Sequence, residues 1–296
     1  MTTAMELLPA AQAGTITMGG DLTVNRMGFG AMRITGKGIW GPPENTDAAL
    51  ATLRRAVELG VNFIDTADSY GPDVSEELIA QALWPYPAGL VIGTKAGWTR
   101  HGAGVWQHDA SPAHIEQAIE GSLKRLRLDR IDVYQLHVPD PAVSYDASME
   151  ALARLKEQGK IRHVGLSNVT LEHIKRAEKI APIVSVQNRY SFSDREWDFV
   201  LDYCQADGIA FLPWGPMAQG RKANEVVERI AAARHVSTAV VSLAWLLRRS
   251  PVMLPIPGTS NVKHLEENVS ATAFRLTDTE FAELGAQVPK PYWLRG

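Results

Sequence analysis

Of 296 residues only one is a cysteine, Cys204. A disulfide framework and a cysteine-rich metal site are excluded by that count, and a reducing compartment, the cytoplasm, is the expected location. Charge of one sign is lacking too: 30 Lys and Arg stand against 33 Asp and Glu, a net charge of −3. Nothing in that balance calls for nucleic acid or an anionic membrane as a partner. No apolar run approaches the roughly 20 residues of a membrane helix. Ala11, Gln12 and Ala13 mimic a signal-peptidase site. However, no Lys or Arg precedes Arg26, and Glu6 interrupts the apolar stretch, so no signal peptide is expected.

What is present is ordinary globular material, 45% hydrophobic and 21% charged. The length fits two domains of roughly 150 residues or one α/β barrel of about 250. The pattern decides for the barrel. A short apolar run followed by an amphipathic segment recurs eight times, with strand candidates at 27–31, 61–65, 90–94, 131–136, 161–165, 183–187, 209–213 and 252–256. Between them lie helical stripes such as Leu50, Leu53 and Val57, stopped by Gly60. Ser111-Pro112 reads as an N-cap followed by proline at the first helical position. Near-continuous apolar strands alternating with helices imply a parallel sheet covered by helices. The expected fold is therefore an α/β (β/α)8 TIM barrel forming one domain over residues 1–296, with 1–14 a flexible N-terminal segment. Residues 15–24, centred on Gly19-Gly20-Asp21, read as a β-hairpin able to plug the barrel's bottom.

Gly36-Lys37-Gly38-Ile39-Trp40-Gly41 matches the GxGxxG dinucleotide fingerprint. That fingerprint works only if its third glycine opens a helix, whose N–H groups then bind pyrophosphate. Here Pro42-Pro43 follow Gly41 and helical periodicity starts near Asp47, so the stretch is expected to be a loop at the barrel mouth.

Reactive groups of such barrels sit at the C-terminal ends of the strands. Those positions hold Asp65 and, five residues on, Tyr70, then Lys95, His137, Ser167-Asn168 and Gln187. Each has an innocent reading: Asp65 as a loop cap, Tyr70 as packing, Lys95 as a partner for Asp65, His137 as a structural histidine. Their joint placement around one mouth instead suggests proton transfer by a phenol. A free tyrosine titrates near 10, and a neighbouring ammonium lowers that value while a carboxylate holds the ammonium in place.

The runs Phe63-Ile64-Asp65-Thr66-Ala67-Asp68-Ser69-Tyr70-Gly71, Gly93-Thr94-Lys95 and Gln135-Leu136-His137 resemble the aldo-keto reductase family. So do Gly165-Leu166-Ser167-Asn168, Val186-Gln187-Asn188, Ile256-Pro257-Gly258-Thr259 and Leu265-Glu266-Glu267-Asn268. The resemblance implies an NAD(P)H-dependent carbonyl reductase. Tyr70 would be the general acid, Lys95 and Asp65 would tune it, and His137 would position the carbonyl. It further implies that Ser167, Asn168 and Gln187 hold the nicotinamide carboxamide and that Trp214 stacks on its ring. The loop Gly215, Pro216, Met217 and on to Gly220 would follow the pyrophosphate, Gly258 and Thr259 would offer backbone N–H groups, and Glu267 and Asn268 would meet the adenine. Where many NADPH-preferring members carry arginine, this chain has His264 beside Lys263, a weaker phosphate partner. NADPH/NADP+ is the expected cofactor, with NADH also admitted, and no metal is expected.

Val24-Asn25-Arg26-Met27-Gly28-Phe29-Gly30-Ala31-Met32, followed by Trp40-Gly41-Pro42-Pro43, resembles the pyridoxal reductase branch. That implies a small-molecule aldehyde or ketone substrate, pyridoxal among them. Trp40, Trp98 and Trp106 are candidate pocket walls; Trp84 and Tyr86 are further candidates that could equally pack under a helix. His101 and His108 flank Gly102–Gly104 without a carboxylate or thiol set that would make a zinc site. Two readings compete with the reductase. One is a cofactor-binding regulatory subunit resembling potassium-channel β subunits. The other is a cofactor-independent barrel enzyme using Lys95 as a Schiff-base amine, which would leave Ser167, Asn168 and Gln187 without a purpose.

Overall fold

The computed structural model describes residues 8–217 and 221–287. In chain order its elements are β1 (Thr15–Met18), β2 (Leu22–Asn25), β3 (Phe29–Gly30), α1 (Thr46–Glu58), β4 (Phe63–Asp65), α2 (Val74–Leu83) and β5 (Val91–Ala96). They continue with β6 (Trp98–Gly102), β7 (Val105–His108), α3 (Pro112–Leu126), β8 (Ile131–Leu136), α4 (Tyr145–Glu157), β9 (Ile161–Ser167), α5 (Leu171–Ala177) and β10 (Ile183–Arg189). The chain closes with α6 (Asp198–Asp207), β11 (Ala210–Trp214), α7 (Arg221–Arg234), α8 (Thr238–Arg249), α9 (Val262–Ser270) and α10 (Asp278–Gly285).

Seven strands form one parallel sheet in the order β3-β4-β5-β8-β9-β10-β11. Each interior strand is covered by the helix that follows it, so its side chains are buried on both faces; all six residues of β5 are buried. The helices form where capping and spacing agree. The Asn45 side chain accepts from the Ala48 N–H ahead of α1, whose Ala49, Leu50, Leu53 and Ala56 face inward. Ser111 caps α3, with Pro112 in the first turn and Ile115, Ile119 and Leu126 as its buried stripe.

The eighth strand anticipated at 252–256 is not a laddered strand. Among the described residues it makes one bridge, Phe211 to Met253. Pro255 and Pro257 have no N–H to give, so a continuous ladder cannot form there. The segment nevertheless bonds both sheet edges. Phe211 N donates to Val252 O (2.9 Å) and Leu254 N to Phe211 O (2.8 Å), while Gly28 N reaches Pro255 O (2.9 Å) and Gly30 N reaches Pro257 O (3.3 Å).

β1 and β2 pair antiparallel. The turn residue Asp21 is held by His163 Nε2 (2.6 Å) and Arg162 Nη2 (2.8 Å) at the start of β9, which places the pair at the N-terminal ends of the strands. Within the stretch 1–14, expected to be flexible, residues 9–13 form a docked 3-10 helix: Ala10 N donates to Leu59 O (2.9 Å) and Thr272 Oγ1 to Pro9 O (2.7 Å). These two hydrogen bonds and the wholly buried side chain of Ala10 hold it in place. Gly102–Gly104, read from sequence as a glycine-rich loop, lie at the turn of the antiparallel hairpin β6–β7. Among the described residues no single helix is long and apolar enough to cross a membrane.

Candidate active site

At the C-terminal ends of the strands lies a cavity of about 930 Å³. Beneath it lies a charged pair. Lys95 on β5 and Asp65 at the end of β4 are buried, with Nζ 2.7 Å from Oδ2, and Nζ also donates to Thr66 O at 2.8 Å. The other carboxylate oxygen, Oδ1, accepts from Gln135 Nε2 (3.0 Å) and Gln187 Nε2 (2.9 Å). Every formal charge in this layer thus has a partner, the condition for keeping two ions out of water. Burial opposes the charge on Lys95, but Asp65 and Tyr70 outweigh it and hold the ammonium's pKa above its ordinary value. Lys95 does not itself line the cavity, whereas Asp65, Tyr70 and His137 do.

Tyr70 is buried, with the Lys95 ammonium 5.2 Å from its ring centroid. The sequence suggested that this ammonium lowers the phenol's pKa. It does pull downward, but burial is the larger effect, the Asp65 carboxylate adds to it, and the phenol titrates above 10. Such a phenol is protonated at neutral pH and is a proton donor. The His137 imidazole stands edge-on, 5.8 Å between ring centroids. Burial, with Lys95 second, drives its pKa well below 6.5, so the ring is neutral. Its Nδ1 lies 3.5 Å from Ser69 Oγ.

Asn168 brackets three strand ends. Its backbone takes the left-handed conformation, φ 57°, which asparagine tolerates better than most residues. Its Nδ2 donates to His137 O (3.0 Å) and Ser167 Oγ (3.1 Å), and its Oδ1 accepts from Trp214 Nε1 (3.1 Å). That bond satisfies the indole N–H, and Trp214 lines the cavity while 38% exposed.

The structure gathers much of the sequence-derived set and leaves some of it out. Ser167, Asn168, Gln187, Trp214, Gly215, Pro216, Met217, Gly258 and Asn268 line the cavity with Trp98 and Trp106. Thr259, His264 and Glu267 do not. Thr259 Oγ1 accepts from Asn261 N, and Asn261 Oδ1 takes the N–H groups of Lys263 (2.8 Å) and His264 (3.3 Å), so the first turn of α9 already caps itself. Residues 218–220 of the proposed phosphate loop lie outside the described residues. Trp40 is not a cavity wall; it stands against the Arg100 guanidinium, 5.7 Å from the ring. Trp84 is half exposed and Tyr86 donates to Leu126 O, both away from the cavity. The GxGxxG stretch is a loop closed by Gly36 N to Gly41 O (2.9 Å), and α1 begins only at Thr46.

Three contributors were missed. Gln135 carries half of the amide support for Asp65, and its signal was a polar side chain inside an otherwise apolar run. Arg33 lines the cavity beside Gly258 and has no ion pair among the described residues. Arg100 is buried although it stands on the hairpin strand β6. For neither arginine did spacing give a signal.

The chain matches the aldo/keto reductase family over residues 26–288. It is 49% identical to an uncharacterized oxidoreductase of Schizosaccharomyces pombe, covering 96% of this chain and 92% of that protein. It is 41% identical to pyridoxine 4-dehydrogenase of Escherichia coli, covering 92% of this chain and 97% of that one. Among solved structures, an aldo/keto reductase from Klebsiella pneumoniae in complex with NADP and acetate superposes with a TM-score of 0.79 at 26% identity, covering 94% of this chain and 96% of that chain.

Proposed function

The chain belongs to the aldo/keto reductase family of oxidoreductases, and from that membership we propose that it uses NADPH to reduce an aromatic aldehyde to its alcohol, with pyridoxal as the substrate and pyridoxine as the product. The observation that carries the reading is a buried, protonated phenol beside a neutral imidazole, both facing one cavity over a Lys95–Asp65 pair. The choice of pyridoxal rests on the similarity to the E. coli dehydrogenase and on the aromatic wall of Trp98 and Trp106. A single domain with the family's closed (β/α)8 barrel is part of the proposal, supported by the bonds that residues 252–257 make to both sheet edges. So is a cytoplasmic site: burial pushes the Cys204 thiol up to about 12, and the chain has no second cysteine to pair with it.

The cavity fits a dinucleotide. At its rim the backbones of residues 30 and 258 touch: a Cβ on Gly258 would sit 2.4 Å from Gly30 O, and one on Gly30 2.5 Å from Ile256 O. Both positions are glycine because these backbones pack against each other, and both leave main chain lining the cavity. Arg33, unpaired among the described residues, offers a permanent positive charge there, which exposed His264 does not. Ser167, Asn168 and Gln187 would hold the carboxamide and Trp214 the ring. A bound NADPH supplies the hydride. The chain's own part is to hold the aldehyde oxygen between His137 and Tyr70 and to deliver the phenol proton to that oxygen as it gains charge. Lys95 then stabilises the phenolate left behind, and Asp65 keeps the lysine in place.

The test is NADPH oxidation by purified protein with pyridoxal, other aromatic aldehydes and aliphatic aldehydes, alongside Tyr70→Phe. Turnover best with pyridoxal, and a loss of about a hundredfold or more in the variant, is the expected result. Better turnover of other aldehydes with the variant still inactive would overturn pyridoxal as substrate and leave the mechanism standing. Tight NADPH binding without turnover of any aldehyde would replace the enzyme reading with that of a regulatory barrel.

A further inference from the structure

Arg100, on β6, is 9% exposed and has no carboxylate partner among the described residues. A guanidinium has five N–H donors, and each of these finds a backbone carbonyl. Nη1 donates to Ile39 O (2.8 Å) and Ser69 O (3.0 Å), Nη2 to Gly38 O (3.1 Å) and Gly102 O (3.4 Å), and Nε to Val105 O (3.2 Å). The cation also lies 3.7 Å from the centroid of Trp106 and 5.7 Å from that of Trp40, so it meets both an indole of the cavity wall and one outside it. With no donor left over, Arg100 does not bind a ligand. It binds three loops to one another: residues 38–40, residue 69 beside Tyr70, and the β6–β7 hairpin that carries Trp98 and Trp106. The first two loops also meet directly, through Gly41 N to Gly71 O (2.5 Å) and a Trp40–Gly71 bridge.

We propose that Arg100 is a positioning residue that fixes the Trp98–Trp106 wall relative to Tyr70 and thereby selects flat aromatic aldehydes over small aliphatic ones. The proposal rests on the carbonyl-reductase reading above. The proton donor and the wall are on different loops, and only a planar fork can meet carbonyls of three segments at once. Without the clasp an aromatic ring loses its fixed stacking surface. A small aldehyde, which needs only Tyr70 and His137, loses less.

The experiment compares Arg100→Met, Arg100→Lys and Trp40→Ala. For Arg100→Met, KM for pyridoxal and benzaldehyde rises about tenfold, kcat/KM for propanal changes by less than about threefold, and NADPH affinity measured by calorimetry stays within about twofold. Lysine restores part of the aromatic preference, because it keeps the charge but has three donors and no plane. Trp40→Ala, at an exposed site outside the cavity, lowers the aromatic-to-aliphatic ratio in the same direction and carries the test if Arg100→Met does not fold. An unchanged ratio in Arg100→Lys and Trp40→Ala, with only a lower melting temperature, would overturn the proposal. If the native protein reduces no aldehyde, the functional reading fails and the clasp is still read by amide exchange. In Arg100→Lys, residues 38–41 and 69–71 then lose protection together with the hairpin; loosening of the hairpin alone would refute it.

Discussion

Replacing Lys95 by methionine tests the buried pair beneath the site. The substitution keeps an unbranched side chain, one atom shorter, and removes a cation that is wholly buried and donates to Asp65 Oδ2 at 2.7 Å and Thr66 O at 2.8 Å. What remains is a buried carboxylate with two amide donors on one oxygen and none on the other. Breaking a buried pair by deleting one partner costs about 3–5 kcal/mol, because the surviving charge is left uncompensated. The orphaned Thr66 carbonyl belongs to the same loss. Asp65→Asn in the Lys95→Met background neutralises the stranded carboxylate, so the double variant should recover part of the stability, with a coupling energy of about 1–3 kcal/mol. Urea unfolding of native protein, both single variants and the double variant at pH 7, followed by circular dichroism, measures all four corners of the cycle. A loss below about 1 kcal/mol in Lys95→Met, or strictly additive effects, would show that the pair is not desolvated as the structure has it. Activity separates from stability here: even the restabilised double variant should stay inactive, because the phenolate at Tyr70 has lost its cation.

Titration of the site gives the next expectation. Tyr70 titrates above 10 and neutral His137 well below 6.5. Reduction, which needs the phenol protonated, should then run with kcat/KM flat from about pH 6.5 to about 10, and a descending limb near neutrality would refute the assignment of the proton donor. Stability shifts with the same histidine. A depressed folded pKa means that the unfolded chain binds the extra proton, so the contribution of His137 is present above 6.5 and lost as pH falls below it, at no more than about 1.4 kcal/mol per pH unit. In denaturation curves between pH 7 and 5, His137→Gln should reduce that slope; His173, also depressed by burial, supplies a remainder. Gly258→Ala would press a methyl group to 2.4 Å from Gly30 O. Backbone on both sides cannot yield cheaply, so a stability loss of about 1–3 kcal/mol and weaker NADPH binding are expected, and unchanged calorimetric affinity would refute main-chain contact with the cofactor there.

Much of this protein could be read along the chain. Apolar runs alternating with amphipathic segments gave the seven paired strands to within a few residues, because a strand buried on both faces must be apolar throughout. Asp65, Tyr70, Lys95 and His137 were legible because a polar residue ending an apolar strand has no packing reason to be there, and the resemblance then gave them roles. Local rules also disposed of the GxGxxG stretch, since Pro42-Pro43 bar the helix it requires. Other features had no local signal. The 252–256 run looks like a strand in its side chains, but its prolines remove the donors a ladder needs, and only the two neighbouring edges show that it is bonded all the same.

The sequence by itself therefore determined the alternation of strands and helices, which are set by periodicity over a few residues, and the identity of the groups able to move a proton. Only the tertiary structure decided what those groups experience. Burial outweighs Lys95 in setting the acidity of Tyr70, Gln135 joins Gln187 on Asp65, Asn261 takes the amides left for a phosphate at α9, and Trp40 turns from the cavity to Arg100. Apart from the local cap at Asn261, each of these depends on desolvation or on contacts between residues far apart in the chain, quantities that arise only once the strands lie side by side.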